Sequence, residues 1–191
     1  MIHSPQGILL PPRTATLVVA ASNASAKSKA QADYVCDGVA DQIEIQAAID
    51  ALPVSGVAKR GIVELSEGDF YIGATITLYQ LMQLRGMGRG TTVHLQATSN
   101  CSMFTTDASA RAGFGISNMV IYGNKANQGA GSWHGIHLVD CMSFFLRDLF
   151  VYNMKGYDIF IQGGTVGDLR NLILGESDGD YSLRLQGTNH L

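Results

Sequence analysis

Apolar and polar residues alternate in short runs along most of the chain, and one stretch repeats its own pattern. Residues 144–164 read FFLRDLFVYNMKGYDIFIQGG, and residues 167–188 read GDLRNLILGESDGDYSLRLQGT. Leu146 matches Leu169 at a spacing of 23, and Ile159 matches Leu183 at a spacing of 24. A repeat of this length built from strand-type segments indicates a solenoid, in which each unit buries its apolar face against its neighbours.

The period-two alternation predicts strands with one buried face, and no helical pattern lies between them. One repeat is then one turn of a coil with three short strands and three bends. The sequence therefore predicts an all-β fold: a right-handed, single-stranded parallel β-helix of about five coils. The pairs Ser117-Asn118, Arg147-Asp148 and Arg170-Asn171 fall at one predicted tight corner, because Asn and Asp tolerate the left-handed conformation. Stacked on successive coils, they are expected to form a hydrogen-bonded ladder inside the coil, although three ordinary turns would also fit.

Three regions follow from the pattern. Residues 1–15 are predicted to be a flexible arm, residues 16–60 an N-terminal strand and capping-helix region, and residues 61–191 the coils. Residues 22–32 are interpreted as a surface connection. Because the pattern stops just after one strand, with no polar cap, we expect either a truncated chain or an end covered by a partner.

One amphipathic helix is predicted over Asp41–Leu52. Asp41 as N-cap with Glu44 three residues later resembles a capping box, and Pro53 ends the helix. Such a helix before a solenoid is expected to cover the open end of the first coil. Insertions are predicted near residues 97–113 and at residues 123–134, where solenoids often carry binding loops.

Composition excludes several classes of function. A net charge of −3 with 15% charged residues gives no basic footprint for nucleic acid. No segment is apolar enough for a membrane span, and the start MIHSPQGILLPP has no signal-peptide pattern. Virion association and cytoplasmic synthesis both stay open. Cys36, Cys101 and Cys141 are widely spaced and are interpreted as buried small hydrophobes in a reduced setting.

Several motifs carry a family resemblance. The segments DYVCDGVADQIEIQAAIDAL, IVELSEGDFYI, LRGMGRGTTV and ISNMVIYGNKAN, followed by HGIHL, resemble the pectate-lyase-like right-handed β-helix superfamily, in its bacterial and phage-associated branch. The resemblance implies a polysaccharide ligand in a groove along one stacked sheet, and β-elimination, hydrolysis or epimerisation among the activities. It also implies that homotrimers and plain scaffolds occur. The paired-aspartate, Gly-His-Gly and WxDH-type motifs of the pectin enzymes are not found in the sequence.

One register fits five of the predicted strands and aligns their outward residues. In that register Glu64, His94, His137, Phe160 and Arg184 form one outward column. A histidine beside a carboxylate can transfer protons near neutral pH, and an arginine can neutralise a uronate. Glu64, His94, His137 and Arg184 are therefore the predicted catalytic residues. The alternative is a solvated sheet face with ordinary polar residues.

Further residues are predicted to contact substrate or metal. Trp133 offers a flat apolar face for a sugar ring, and Asp158, Gln162 and Gln186 lie in neighbouring columns. A separate acidic loop, GESDGD, spaces Glu176, Asp178 and Asp180 at every second position, which suits Ca²⁺. The resemblance makes calcium plausible as well, because pectate lyases use it to bridge acidic groups, but an acidic surface bend is the alternative.

Two functions are weighed. The first is a polysaccharide-binding or polysaccharide-degrading protein, either a lyase or a glycoside hydrolase, like those of phage tail spikes or cell surfaces. The second is a non-catalytic scaffold or adhesin fragment, favoured by the missing catalytic motifs. Polysaccharide is the predicted partner in the first case, and a homotrimer or a longer solenoid is a further prediction.

Overall fold

The computed structural model describes residues 15–56, 58–106 and 112–189. The predicted N-terminal arm therefore lies almost wholly outside the described residues. Two helices are described, α1 (Ala26–Gln31) and α2 (Gln42–Asp50), with short 3₁₀ turns at Gly88–Gly90 and Lys125–Asn127. The strands are β1 Thr16–Ala20, β2 Tyr34–Val35, β3 Val54–Ser55, β4 Ala58–Lys59, β5 Gly61–Leu65, β6 Gly68–Ile72, β7 Ile76–Leu78, β8 Met82–Arg85, β9 Thr91–Leu95, β10 Phe104–Thr106, β11 Gly115–Tyr122, β12 Ile136–Tyr152, β13 Ile159–Gly175 and β14 Leu183–Asn189.

These strands wind into a right-handed parallel β-helix, as predicted. Three stacked parallel faces form. The first sheet runs β2-β1-β5-β8 and continues through residues 115–117, 145–147 and 168–170. The second sheet holds β6, β9 and residues 120–122, 149–152 and 172–175. The third sheet holds β7, β10 and residues 136–139, 159–162 and 183–186.

Each coil passes through the first, second and third sheets in that order, and five coils follow one another from β5 to β14. The long strands β12 and β13 turn corners, so that each contributes to all three sheets. The predicted number of coils and the 23- and 24-residue repeats are therefore confirmed, because Leu146 pairs with Leu169 and Ile159 with Leu183.

Three rows of apolar side chains fill the interior, one behind each sheet. Alternation places every second side chain inside, where the residues above and below it in the stack share its environment. The first row is Leu17, Val63, Leu84, Ile116, Leu146 and Leu169; the second is Phe70, Val93, Ile121, Val151 and Leu174; the third is Ile76, Phe104, Ile136, Ile159 and Leu183.

These rows correct the predicted register. Ile136, Ile159 and Leu183 do share one interior row, but Val93 lies behind the second sheet and Val63 behind the first. Along the first row, successive members lie 21, 32, 30 and 23 residues apart, from 63 to 84, 116, 146 and 169. Because coil length varies and every strand alternates in the same way, the pattern alone does not reveal which sheet a strand joins.

The predicted corner is confirmed, but its ladder lies outside the coil. Asn118, Asp148 and Asn171 all have left-handed backbone conformations, with φ of 57°, 55° and 50°. The Asn171 Nδ2 donates to Asp148 Oδ1 at 2.8 Å, and this hydrogen bond is exposed to solvent. Apolar side chains already occupy the interior, so these polar groups point to water instead.

The helix α2 covers the end of the core as predicted, with Ile45, Ala48 and Ile49 buried. The predicted capping box is wrong. The Asp41 side chain makes no cap hydrogen bond; it accepts instead from the backbone N–H groups of Gly38 (2.8 Å) and Tyr71 (2.7 Å). These bonds fix the start of the helix to β6 of the first coil.

A helix was also missed. The predicted surface connection contains α1, which begins after Ser25, whose Oγ accepts from the Ser28 N–H at 3.1 Å. None of the residues of α1 is buried, so the sequence has no apolar stripe that would predict this helix. The serine N-cap was the available signal.

Candidate functional site

The outer face of the third sheet carries aromatic and cationic side chains in register. His137, Phe160 and Arg184 occupy equivalent positions on three successive coils, as predicted. The Phe160 ring stacks on the His137 ring with centroids 4.8 Å apart and an interplanar angle of 5°. The Arg184 guanidinium carbon lies 5.2 Å from the Phe160 centroid. A stacked row of flat groups therefore crosses three coils.

His134 and Tyr157 extend this row, and sequence reasoning missed both. Their rings stack at 5.2 Å with an interplanar angle of 4°, and His134 Nδ1 accepts from the Tyr157 backbone N–H at 2.9 Å. Arg184 donates to the Tyr157 hydroxyl, and its guanidinium carbon lies 5.2 Å from that ring centroid. The 23-residue spacing of the pair, which equals the repeat, was the signal that could have found it. We call His134, His137, Tyr157, Phe160 and Arg184 the arginine–aromatic face.

Close approach of the backbone makes this stack possible. A Cβ at Gly156 would lie 2.6 Å from His134 Nδ1, which is closer than real Cβ contacts allow. Glycine at this position therefore lets the chain pass directly beside the imidazole.

Burial sets the charge of the two histidines. It lowers the pKa of His134 to about 4, helped by the nearby His137 and the positive Arg184. Burial also holds the pKa of His137 below its usual range, and its Nε2 is buried without a hydrogen-bond partner in the described structure. Both rings are therefore neutral near pH 7.

The second predicted outward column is partly confirmed. Gln162 and Gln186 are paired neighbours and both are exposed. Arg184 Nη2 donates to Gln186 Oε1 at 3.3 Å. Trp133 is half-buried and its indole Nε1 is buried without a partner among the described residues, so only part of the ring faces solvent.

Asp158 does not face outward as the prediction required. It is fully buried, and Ser177 Oγ donates to its Oδ1. Burial raises the pKa of this carboxyl to about 6, against the opposing effect of the Ser177 hydrogen bond. Its position next to the inward Ile159 puts it inside the corner, where it cannot contact a ligand.

The predicted catalytic column is not assembled, because its members lie on three different sheets. Glu64 lies on the first sheet, where Arg85 Nε donates to its Oε2 at 3.0 Å. His94 lies on the second sheet and pairs with Asp69 instead, with Nε2 and Oδ1 2.9 Å apart. Only His137 and Arg184 share the third sheet. The prediction that Glu64, His94 and His137 are neighbours was wrong, because the predicted register aligned strands that belong to different sheets.

The first sheet instead carries a row of ion pairs that includes Glu64 and Arg85. Further along it, Asp168 lies between two arginines: Arg147 donates to its Oδ2, and Arg170 Nε donates to Oδ1 at 2.7 Å. These charges pair with one another along the stack, so Arg85, Arg147 and Arg170 all have a carboxylate partner on the first sheet.

The predicted calcium loop is arranged differently from a metal site. Asp178 is neutralised by two lysines, with Lys125 Nζ at 3.0 Å and Lys155 Nζ at 2.9 Å, and these contacts lower its pKa. Glu176 and Asp180 are exposed and do not converge with it on one point. The alternating spacing therefore reflects a surface bend, and the calcium prediction has no geometric support.

One other trio does come together. In the described part of the chain, Cys36 Sγ and carboxylate oxygens of Asp41 and Glu44 lie within 4.8 Å of one another. Burial and the adjacent Asp41 and Glu44 carboxylates raise the pKa of the Cys36 thiol far above its usual value, so the thiol stays protonated. Two backbone N–H groups already donate to Asp41. We therefore interpret the three residues as a polar contact beneath the capping helix and not as a metal site.

Among the described residues, no helix combines the length and the apolar character needed to cross a lipid bilayer.

Fold and face together define a class: a right-handed parallel β-helix with an arginine–aromatic face along one sheet. Solved structures similar to this chain are β-helix proteins. The A-module of the mannuronan C-5 epimerase AlgE6 from Azotobacter vinelandii has a TM-score of 0.61 at 22% identity, over 73% of this chain and 41% of that one. The AlgE4 A-module from the same organism gives 0.59 at 21% identity, over 76% and 50%.

A third similar structure is ORF18 of Geobacillus virus E2, with a TM-score of 0.58 at 18% identity over 80% of this chain and 37% of that one. The match thus spans half or less of each of these proteins. No protein-family model matches the sequence, and no curated protein matches it. At these identities the likeness establishes the fold alone, the parallel β-helix that the sequence predicted.

Proposed function

We propose that this protein binds an acidic polysaccharide across the arginine–aromatic face of the third sheet. The observation that carries the proposal is the position of Arg184. Its guanidinium carbon lies 5.2 Å from the ring centroids of both Phe160 and Tyr157, and the side chain is exposed to solvent. An arginine held in this way presents its remaining N–H donors in a fixed plane, which suits a sugar carboxylate.

The neighbouring groups support a saccharide ligand. The exposed amides of Gln162 and Gln186 can bond sugar hydroxyls, and the half-buried Trp133 borders the same sheet on the loop before His137. A polymer that lies across the coils would contact one side chain of the arginine–aromatic face on each coil. Two of the similar structures come from enzymes named for mannuronan, which agrees with a polysaccharide ligand.

The proposal is binding and not bond cleavage at this face. His134 and His137 are neutral and largely buried, and Asp158 is enclosed. His134 and Asp158, both buried, therefore have no access to a sugar, which leaves the half-buried His137 as the one predicted acid or base beside Arg184. Assays for unsaturated sugars and reducing ends are expected to find no product on mannuronan or polygalacturonate. A product that depends on His137 would contradict this part of the proposal.

The test compares Arg184→Ala with Arg170→Ala, an exposed arginine on the first sheet. We expect mannuronan or polygalacturonate to bind the unmodified protein, and Arg184→Ala to weaken binding about tenfold, since a charged hydrogen bond contributes about 1.5–3 kcal/mol. Arg170→Ala should leave affinity unchanged. Isothermal titration measures affinity, and Trp133, the only tryptophan, provides a fluorescence signal beside the face.

The non-catalytic scaffold is the competing function. If neither acidic polymer binds, or if both arginine variants bind equally well, the arginine–aromatic face is not a ligand site and the scaffold function is favoured. Light scattering then tests the predicted homotrimer, because a scaffold of that kind would assemble without any glycan.

A further inference from the structure

The second sheet has an outer face of its own, built around three tyrosines and a histidine. Tyr71, His94, Tyr122 and Tyr152 occupy equivalent positions on successive coils. The His94 ring stacks on Tyr71 at 5.0 Å and meets Tyr122 edge-on at 5.5 Å, and Tyr122 lies 5.1 Å from Tyr152. This row is separate from the arginine–aromatic face, which lies on the third sheet.

His94 is oriented by an acidic partner. Asp69 Oδ1 lies 2.9 Å from His94 Nε2, while Asn23 Nδ2 donates to Asp69 Oδ2 at 2.9 Å. The hydrogen bond to His94 lowers the pKa of Asp69, which therefore remains ionised and accepts from Nε2–H. In the neutral ring the remaining nitrogen, Nδ1, is then the free acceptor.

Next to this pair lies an open cleft of about 540 Å³, which we call the tyrosine cleft. It is lined by Tyr71, His94, Leu95, Gln96, Ala97, Tyr122 and Asn124. Four polar groups of this lining have no protein hydrogen-bond partner within the described residues: His94 Nδ1, the Gln96 side-chain amide, and the hydroxyls of Tyr71 and Tyr122. They supply both donors and acceptors beside two aromatic rings.

We propose that the tyrosine cleft is a binding site for an uncharged sugar. Aromatic rings with adjacent amide, hydroxyl and imidazole groups match the apolar faces and hydroxyl edges of a sugar ring. The described lining contains no Lys or Arg, and the carboxylate of Asp69 lies beside it, 2.9 Å from His94 Nε2. A uronate would meet repulsion here, so the cleft selects neutral residues. This inference is independent of acidic binding on the third sheet.

The purely structural alternative is that the rings only stabilise the stacked sheets. It accounts for the ring contacts, but it gives no role to the four polar groups of the lining that have no protein partner among the described residues. Gln96 separates the two explanations. Its side chain belongs to neither the stack nor the core, so its removal should affect a ligand without weakening the fold.

The experiment titrates the intact chain with maltohexaose, cellohexaose and mannohexaose, with trigalacturonate as the acidic probe. The readout is the ring-proton NMR signal of His94, one of five histidines, which is assigned by its loss in His94→Gln. We expect at least one neutral hexasaccharide to shift this signal, and trigalacturonate to leave it in place.

Variants then localise the effect. Tyr122→Ala should weaken the neutral sugar about tenfold by loss of the ring and its hydroxyl, and Gln96→Ala about fivefold by loss of one hydrogen bond. Ile173→Ala, on the same sheet outside the cleft, is the matched control with unchanged affinity. If Tyr122→Ala does not fold, Gln96→Ala decides. The proposal is overturned if no neutral probe shifts the His94 signal, or if Gln96→Ala binds as tightly as the unmodified protein.

Discussion

Burial determines the chemistry of individual polar residues in this coil. The histidines illustrate this: His134 and His137 are enclosed by rings and held neutral, whereas His94 has a side chain that is 25% exposed and an acidic partner. Only His94 therefore combines an oriented ring with an open neighbourhood. Residue type alone did not distinguish these three positions.

Asp158 gives a prediction at the same scale. Its pKa is raised to about 6 in the folded protein, so folding is favoured below its unfolded pKa and this contribution is lost as pH rises through about 6. Asn does not ionise, so Asp158→Asn lacks this loss. We therefore expect the unfolding free energy of Asp158→Asn, relative to that of the unmodified protein, to rise by up to about 3 kcal/mol between pH 4 and pH 7.5. Urea unfolding at several pH values measures this difference, and an equal pH dependence in both proteins would contradict it.

At the scale of elements, the sequence predicted the strands better than their partners. The alternating pattern located the five strands of the predicted register, and the repeat gave the correct pairing of β13 with β14 and of β12 with β13. Earlier coils vary in length, so Glu64 and His94 were placed on the wrong sheet. Of the arginine–aromatic face, the sequence therefore predicted His137 and Arg184 as neighbours in one column. The contacts of His94 with Asp69 and Tyr122 could not be predicted, because they depend on the strand pairing seen in the structure.

The capping helix α2 offers a matched pair for a prediction. Ile45 is fully buried against the end of the core, whereas Ile43, two residues away, is 62% exposed. Ile45→Ala should cost about 2–5 kcal/mol of unfolding free energy, because it leaves a cavity under the helix, and Ile43→Ala about 0.5 kcal/mol or less. Chemical denaturation of both variants measures the contrast. Equal losses would mean that α2 does not seal the first coil.

At the scale of the whole molecule, each coil contacts only its neighbours, so the contribution of a side chain depends on its place in the stack. Leu138, Ile161 and Leu185 share one row of the third sheet on successive coils. Leu138 and Ile161 are fully buried, while Leu185 is 43% exposed. Stability in such an array is roughly a sum of unit and interface contributions.

The same substitution should therefore have different costs along this row. Leu138→Ala is expected to lower the unfolding free energy by about 2–5 kcal/mol, since neighbours above and below it enclose the cavity that it leaves. Leu185→Ala should cost about 1 kcal/mol, because part of that side chain is already in water. Urea unfolding of both variants gives the two values, with circular dichroism as the check on fold. A Leu185→Ala loss as large as that of Leu138→Ala would mean that another surface covers this coil in solution, as a partner on the last coil would. Light scattering of the same samples would then show whether the chain associates with itself.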